Sequence, residues 1–252
     1  DLLSEVHDYP LEYVMAMFPW DTEPTIQQIP LDPKYQKRFP NCKFGPDVWQ
    51  CEFLDQWGEE IRKRGFNGKT PVMPVRFATK SGHGIGKTTL TAFIIKFIMD
   101  TRPLCRGTVT AVTADQLKAR TWAELGKWHR MSLTSHWFEY QTTRGNMILK
   151  KKGQLAGEWF TQAVTCKAEN ATAFQGQHAA NSTSFYIFDE ASGIADEIFK
   201  ARAGGLSDGE PVVCCDTRGR ERPFGDVEHV HRMAGAADAA LIGELTRVTK
   251  GE

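Results

Sequence analysis

The chain has 252 residues, 41% hydrophobic and 25% charged, with 31 basic residues balanced by 31 acidic ones. That length carries one large α/β domain or two small ones, and zero formal charge excludes a nucleic-acid partner argued from net charge alone, so that role needs a local basic patch. The six cysteines form no C-x-x-C pair, no signal-peptide order opens the chain, and no apolar run reaches the ~18–20 residues of a membrane span, so a soluble cytoplasmic protein with reduced thiols and no membrane partner is expected.

Residues 1–46 carry prolines at 10, 19, 24, 30, 33, 40 and 46, which break long regular elements, and an irregular N-terminal arm is expected over 1–45. The cluster from Met15 to Trp20 is costly to leave in water, so the arm docks on the main domain. Asp47 then precedes Trp49, Phe53, Leu54, Trp57 and Ile61, whose spacing gives one apolar helix face closed by Arg62, Lys63 and Arg64 and stopped near Gly65. Gln50 lies one position from that face; its amide either reaches a nucleobase or faces solvent.

A buried strand is expected over Val72–Thr79 and a helix over Lys87–Asp100, joined by Ser81, Gly82, His83, Gly84, Ile85, Gly86, Lys87 and Thr88. A small-residue loop between strand and helix that ends in Gly-Lys-Thr suits phosphate. Backbone N–H groups and a helix N-terminus cradle the anion, a lysine reaches the β- and γ-phosphates, and a hydroxyl holds Mg²⁺. Ser81 occupies the first position of the G-x-x-x-x-G-K-[ST] pattern, where glycine is usual, while the three glycines leave the backbone free to wrap a ligand. A flexible glycine-rich turn is the plain alternative.

Thr108–Thr113 alternates β-branched residues and reads as a second strand, followed by a helix from Gln116 to about Met131. Met147–Leu149 and Phe160–Cys166 suggest a hairpin or two short strands. Between Asp115 and Lys152 stand eight Lys/Arg against three Asp/Glu, whereas residues 1–70 carry eight against twelve. Lys118, Arg120, Lys127, Arg130, Lys150, Lys151 and Lys152 are therefore the candidates for gripping a nucleic-acid backbone without reading sequence, with a solvated charged face as the bland alternative. His229 and His231 form an isolated H-x-H, expected to be a surface feature.

Ser184–Phe188 is a continuous apolar run that delivers Asp189 and Glu190 at its carboxyl end, where open α/β sheets place ligands. In nucleoside triphosphatases the first such carboxylate holds Mg²⁺ and the second orients and deprotonates an attacking water. Strand, helix, strand, helix is the order of a mainly parallel central sheet flanked by helices.

Phe18-Pro19-Trp20, Pro46–Gln50, Ser81–Thr88, Val112-Thr113-Ala114 with Gln116-Leu117 and Thr121–Leu125, Ala173–His178 and Phe188–Ile194 together resemble the ATPase domain of tailed-bacteriophage terminase large subunits, over roughly residues 10–217. The resemblance implies a P-loop ATPase of α/β class over 46–218. Such a motor uses ATP and Mg²⁺ to thread double-stranded DNA into a procapsid, as a homo-oligomeric ring on the portal and with a small terminase subunit, in the bacterial host cytoplasm. Carried onto this sequence, it gives Gln50 the adenine contact, Lys87 and Thr88 the phosphate and metal contacts, Asp189 the metal carboxylate and Glu190 the catalytic base. Thr217 takes the polar position of a coupling motif of which only the end is retained in Cys214–Thr217. His83 stands where many relatives carry an arginine, so the charge for hydrolysis must come from another cation, Arg76 or a neighbouring subunit's Arg202. The loop after Ala114 is shorter than in relatives. Residues 219–252 read as a linker or disordered end, and the nuclease domain of full-length relatives is not expected within this chain. Two other readings stay open: a helicase-like nucleoside triphosphatase, and a remnant that binds nucleotide without turning it over.

Overall fold

Apolar side chains recur at every second residue of the central strands, and both faces of those strands are buried. The computed structural model describes residues 2–81, 84–143, 145–166, 174, 178–194, 196–201 and 205–218. Within them, strands β1 (Val75–Ser81), β2 (Arg106–Thr110), β3 (Phe138–Thr143), β4 (Asn146–Lys151), β5 (Phe160–Ala163), β6 (Ser184–Phe188) and β7 (Val212–Arg218) form one sheet in the order β1-β7-β6-β2-β5-β4-β3. β1, β7, β6, β2 and β5 run parallel, and the β3–β4 hairpin adds antiparallel to β5. The fold is the expected mainly parallel α/β sheet.

The period of two sorts the sheet's side chains into two cores. Phe77, Val75, Phe185, Ile187, Val212 and Cys214 belong to the larger one, with the arm and the long helices. Ala78, Tyr186, Phe188 and Val213 face the smaller one, with Ile194, Ile198 and Phe199. The strands differ from expectation at four places. Pro74 has no N–H for a ladder, so β1 begins at Val75 instead of Val72. β2 ends at Thr110, because Thr113 is used as a helix cap. β3 lies in a largely polar run that shows no strand pattern, and β4 extends beyond the expected Met147–Leu149 through Lys150 and Lys151.

The arm contains three short helices, α1 (Leu2–Glu5), α2 (Pro10–Met17) and α3 (Pro33–Gln36), the latter two with proline in the first turn, where its missing N–H costs nothing. Met15, Met17, Phe18 and Trp20 are buried, with the Phe18 ring 5.4 Å from Phe93 and 5.0 Å from Trp128. The next helix, α4 (Val48–Arg64), ends as expected, at a left-handed Gly65 with φ 58°. α5 (Lys87–Thr101) follows β1.

After β2 the expected single helix is three joined pieces: α6 (Ala114–Gln116), a π-helical turn (Leu117–Trp122) and α7 (Ala123–Met131). α8 (Asp196–Ala201) covers part of the smaller core. Gly126 of α7 lies where an added Cβ would meet Tyr140 at 2.6 Å, so glycine there is what lets β3 approach the helix. No described helix is long and apolar enough to cross a membrane.

Candidate active site

The parallel arrangement puts the carboxyl ends of β1, β7 and β6 at one edge of the sheet, with β7 between the other two. At the end of β1 the chain turns through Gly84 (φ 78°) and Gly86 (φ 88°), both left-handed, and enters α5 without any side-chain cap. A 15-residue helix that begins this way leaves backbone N–H groups directed at whatever lies before it. Lys87 and Thr88, half-buried, open its first turn, and Ser81 ends β1. Gly82 and His83 lie outside the described residues.

α4 holds this loop from behind. The Trp49 indole N–H donates to the Ile85 carbonyl at 3.2 Å, and the Gln50 amide donates to the Gly86 carbonyl at 2.9 Å. The amide oxygen of Gln50 in turn accepts from the Asp47 backbone N–H at 3.0 Å. Gln50 is 4% exposed, so it does not face solvent; both ends of its amide hold backbone. It also lines an open cleft of about 280 Å³, with Trp20, Ile29, Ile85, Glu124 and Trp128 among the other walls. Glu124 ties that wall together, accepting from the Thr89 hydroxyl at 2.8 Å and the Trp128 indole at 2.7 Å.

At the end of β6 the backbone N–H of Asp189 donates to the Thr110 carbonyl at 2.8 Å, which fixes where the two carboxylates leave the sheet. Glu190 is left-handed, φ 56° and ψ 47°, a conformation that costs a non-glycine residue on the order of 1 kcal/mol and that clusters at functional sites. Its carboxylate is 18% exposed and accepts from Arg120 Nη1 at 3.1 Å and from Gln116 Nε2 at 3.3 Å. The Thr121 hydroxyl, buried, donates to Asp189 Oδ2. Sequence alone assigns Thr121 no role at the site and groups Arg120 with the basic residues.

The donor set at this edge suits Mg²⁺. That ion keeps several waters and takes one or two carboxylates plus phosphate oxygens, and the Thr88 hydroxyl and the Asp189 carboxylate are oxygen donors of that kind. No group of three or more His, Cys, Asp or Glu that could hold a metal is present among the described residues. Thr217 sits in β7 opposite Lys80 of β1, on the strand between loop and carboxylates.

The expected supplementary cation is not Arg76. That residue stands in β1 five positions before Ser81, roughly 17 Å back along the strand from the ligand edge. Arg202 lies outside the described residues. Among the described residues, Arg120 is an arginine that reaches the carboxylates, and the charge pattern groups it with the backbone-gripping residues.

The rest of that basic group is divided. Lys127 lines the cleft and stands 5.5 Å over the Trp128 ring. Lys150 pairs with Glu139 at 3.4 Å. Lys151 lies among Trp137, Phe138 and Trp159, 4.3, 5.3 and 5.0 Å from their ring centres, and burial pushes its ammonium down from the usual lysine range. Lys118, Arg130 and Lys152 are exposed.

No protein-family model matches the sequence, and no curated protein does. Among solved structures, the large terminase of a thermophilic bacteriophage is 15% identical over 77% of this chain and 43% of its own, with a TM-score of 0.52. The HK97 bacteriophage large terminase is 13% identical over 84% of this chain and 38% of its own, with a TM-score of 0.50. This chain shares the fold of the matched part of these two phage large terminases. Its mainly parallel α/β sheet carries the glycine-rich loop after β1 and the two carboxylates after β6. The ATPase domain of the Thermus phage P74-26 large terminase also matches, 17% identical over 77% of this chain and 72% of that one, at a TM-score of 0.44. The chain spans less than half the length of the thermophilic-phage and HK97 terminases.

Proposed function

We propose that this chain is the ATP-hydrolysing motor domain of a phage large terminase, which powers movement of double-stranded DNA into procapsids. The observation that carries the reading is the convergence at one sheet edge of an uncapped helix start behind Gly84 and Gly86 with two anchored carboxylates, Asp189 and Glu190. ATP phosphates would lie against residues 81–88, with Lys87 reaching the outer phosphates. The base would enter the cleft beside Gln50, whose buried amide keeps one further N–H and lone pair for it after binding Gly86 and Asp47.

Mg²⁺, held by Thr88 and Asp189, would neutralise charge on the β- and γ-phosphates. Glu190 orients the attacking water and accepts its proton, while Lys87 and the helix N-terminus hold the phosphoryl group in line. Phosphoryl transfer is mostly positioning and charge stabilisation, so these groups suffice in kind. Double-stranded DNA, a small terminase subunit and the portal are the partners this reading brings with it, together with a homo-oligomeric ring in the host cytoplasm. Lys118, Arg130 and Lys152, being exposed, remain the residues for DNA phosphates. Thr217, on the strand linking loop and carboxylates, is the candidate for reporting hydrolysis.

The test is ATP hydrolysis by the full chain, with and without duplex DNA and Mg²⁺, compared with Lys87→Ala and Glu190→Gln. Turnover abolished in both variants supports the motor. A Glu190→Gln chain that hydrolyses like the parent rejects the assignment.

A further inference from the structure

The turn that follows α6 is built to reach both carboxylates at once. A π turn closes i→i+5 hydrogen bonds, which stacks residues five apart on one face, as an α turn does for residues four apart. Gln116 and Arg120, four apart, both bond Glu190, at 3.3 and 3.1 Å; Thr121, five from Gln116 and next to Arg120, bonds Asp189.

Glu190 needs such a hold. Its backbone is left-handed, at a position where only the neighbouring structure can keep it. Arg120 is 49% exposed and Glu190 18%, which puts the pair at the lip of the site, with the guanidinium on its outer side.

We propose that Arg120 is a positioning residue for Glu190: its guanidinium, with the Gln116 amide, fixes the carboxylate that orients the attacking water. The proposal rests on the reading of Glu190 as that catalytic carboxylate.

The experiment compares the full chain with Arg120→Ala, Arg120→Lys, Glu190→Gln and the Arg120→Ala/Glu190→Gln double variant. Steady-state ATP hydrolysis gives kcat and KM, amide hydrogen exchange follows residues 189–193, and thermal melting controls for folding. Arg120→Ala should lower kcat about tenfold or more, leave KM for ATP within about twofold, and speed exchange over 189–193 without moving the melting midpoint. Arg120→Lys should recover part of the loss, and the double variant should turn over no more slowly than Glu190→Gln alone, because the arginine acts through that carboxylate.

Wild-type kcat and unchanged exchange in Arg120→Ala, beside an inactive Glu190→Gln, overturn the positioning role and leave the motor reading standing. A raised KM at unchanged kcat overturns it too, since the arginine would then be a nucleotide contact. Wild-type turnover by Glu190→Gln overturns both. Should the parent chain not turn over at all, the exchange measurement decides, and unchanged protection of 189–193 in Arg120→Ala overturns the proposal.

Discussion

At the scale of single residues, Gly86 joins three jobs in one peptide unit. Its φ of 88° turns the chain into α5, and its carbonyl accepts both the Leu90 N–H at 3.0 Å and the Gln50 amide at 2.9 Å. A Cβ at this position would meet Gln50 Nε2 at 2.8 Å. Gly86→Ala should therefore cost about 1–2 kcal/mol of backbone strain and displace the amide that holds the loop. Concentrated on the bound loop, that strain weakens ATP affinity about tenfold, readable by titration calorimetry with a non-hydrolysable ATP analogue. Affinity equal to the parent would show that the loop's shape does not depend on this glycine.

The phosphate-type loop was legible in the sequence because its chemistry is local: glycines, lysine and hydroxyl are consecutive. The work of Gln50 was not, because its partner Gly86 lies 36 residues away and its other partner, Asp47, is a backbone N–H. Arg120 reads in the sequence as one charge among many, since only tertiary structure brings it to Glu190, 70 residues later.

At the scale of elements, α5 is anchored by a charge buried in the core. Lys96 and Asp100, one turn apart, are both fully buried in their side chains, 2.9 Å from each other. Asp100 also accepts from the Tyr13 hydroxyl of α2 and the Thr134 hydroxyl, each at 2.6 Å, while Lys96 donates to Thr134 at 3.1 Å and faces the Phe138 ring. Burial pushes the Lys96 ammonium down, partly offset by Asp100, and burial beside Asp100 pushes the Tyr13 phenol up. Removing one member of a buried pair leaves its partner uncompensated. Lys96→Met should destabilise the fold by about 3–5 kcal/mol in urea unfolding, far more than exchange of an exposed lysine.

The helix itself was legible to within a residue of its end, from its apolar run and the following Arg102-Pro103. The π turn was not, because α and π turns differ by a single residue of register and no residue type marks the change. The β3–β4 hairpin was partly hidden for a related reason. Glu139, Gln141, Thr142 and Thr143 are polar positions that only pairing with β4 makes into strand.

At the scale of the whole molecule, the arm, the helices and the last strand are tied through Arg102. It pairs with Glu210 at 2.7 Å, just before β7, and with Asp8 at 2.9 Å, just before α2. Global stability carries a pH signature from His129, which is 5% exposed and packs against Tyr140. Burial, reinforced by the positive charges of Lys96, Lys152 and Arg130, holds its imidazole at about 3. The unfolded chain protonates this residue near ~6.5, so as pH falls from there towards 3 only the unfolded state gains the proton. His129 therefore contributes stability that is complete above ~6.5 and declines by up to about 1.4 kcal/mol per pH unit below it. Urea unfolding between about pH 7 and 5 should show a shallower slope of stability against pH in His129→Gln than in the parent; identical slopes would place the charged imidazole in the folded state.

The alternation of strands and helices made the parallel sheet legible, but not its order. That β7, the last of the described strands, inserts between β1 and β6 follows from register and packing over more than 100 residues, and it is this insertion that separates the loop from the carboxylates by one strand.

The most direct measurement of the central claim is Mg²⁺-dependent ATP hydrolysis by the full chain and by Glu190→Gln, with ATP binding measured in both. Turnover in the parent, a loss of about 100-fold or more in the variant and undiminished ATP binding are the predicted result. Equal turnover in the two proteins, or no ATP binding by either, would contradict the account.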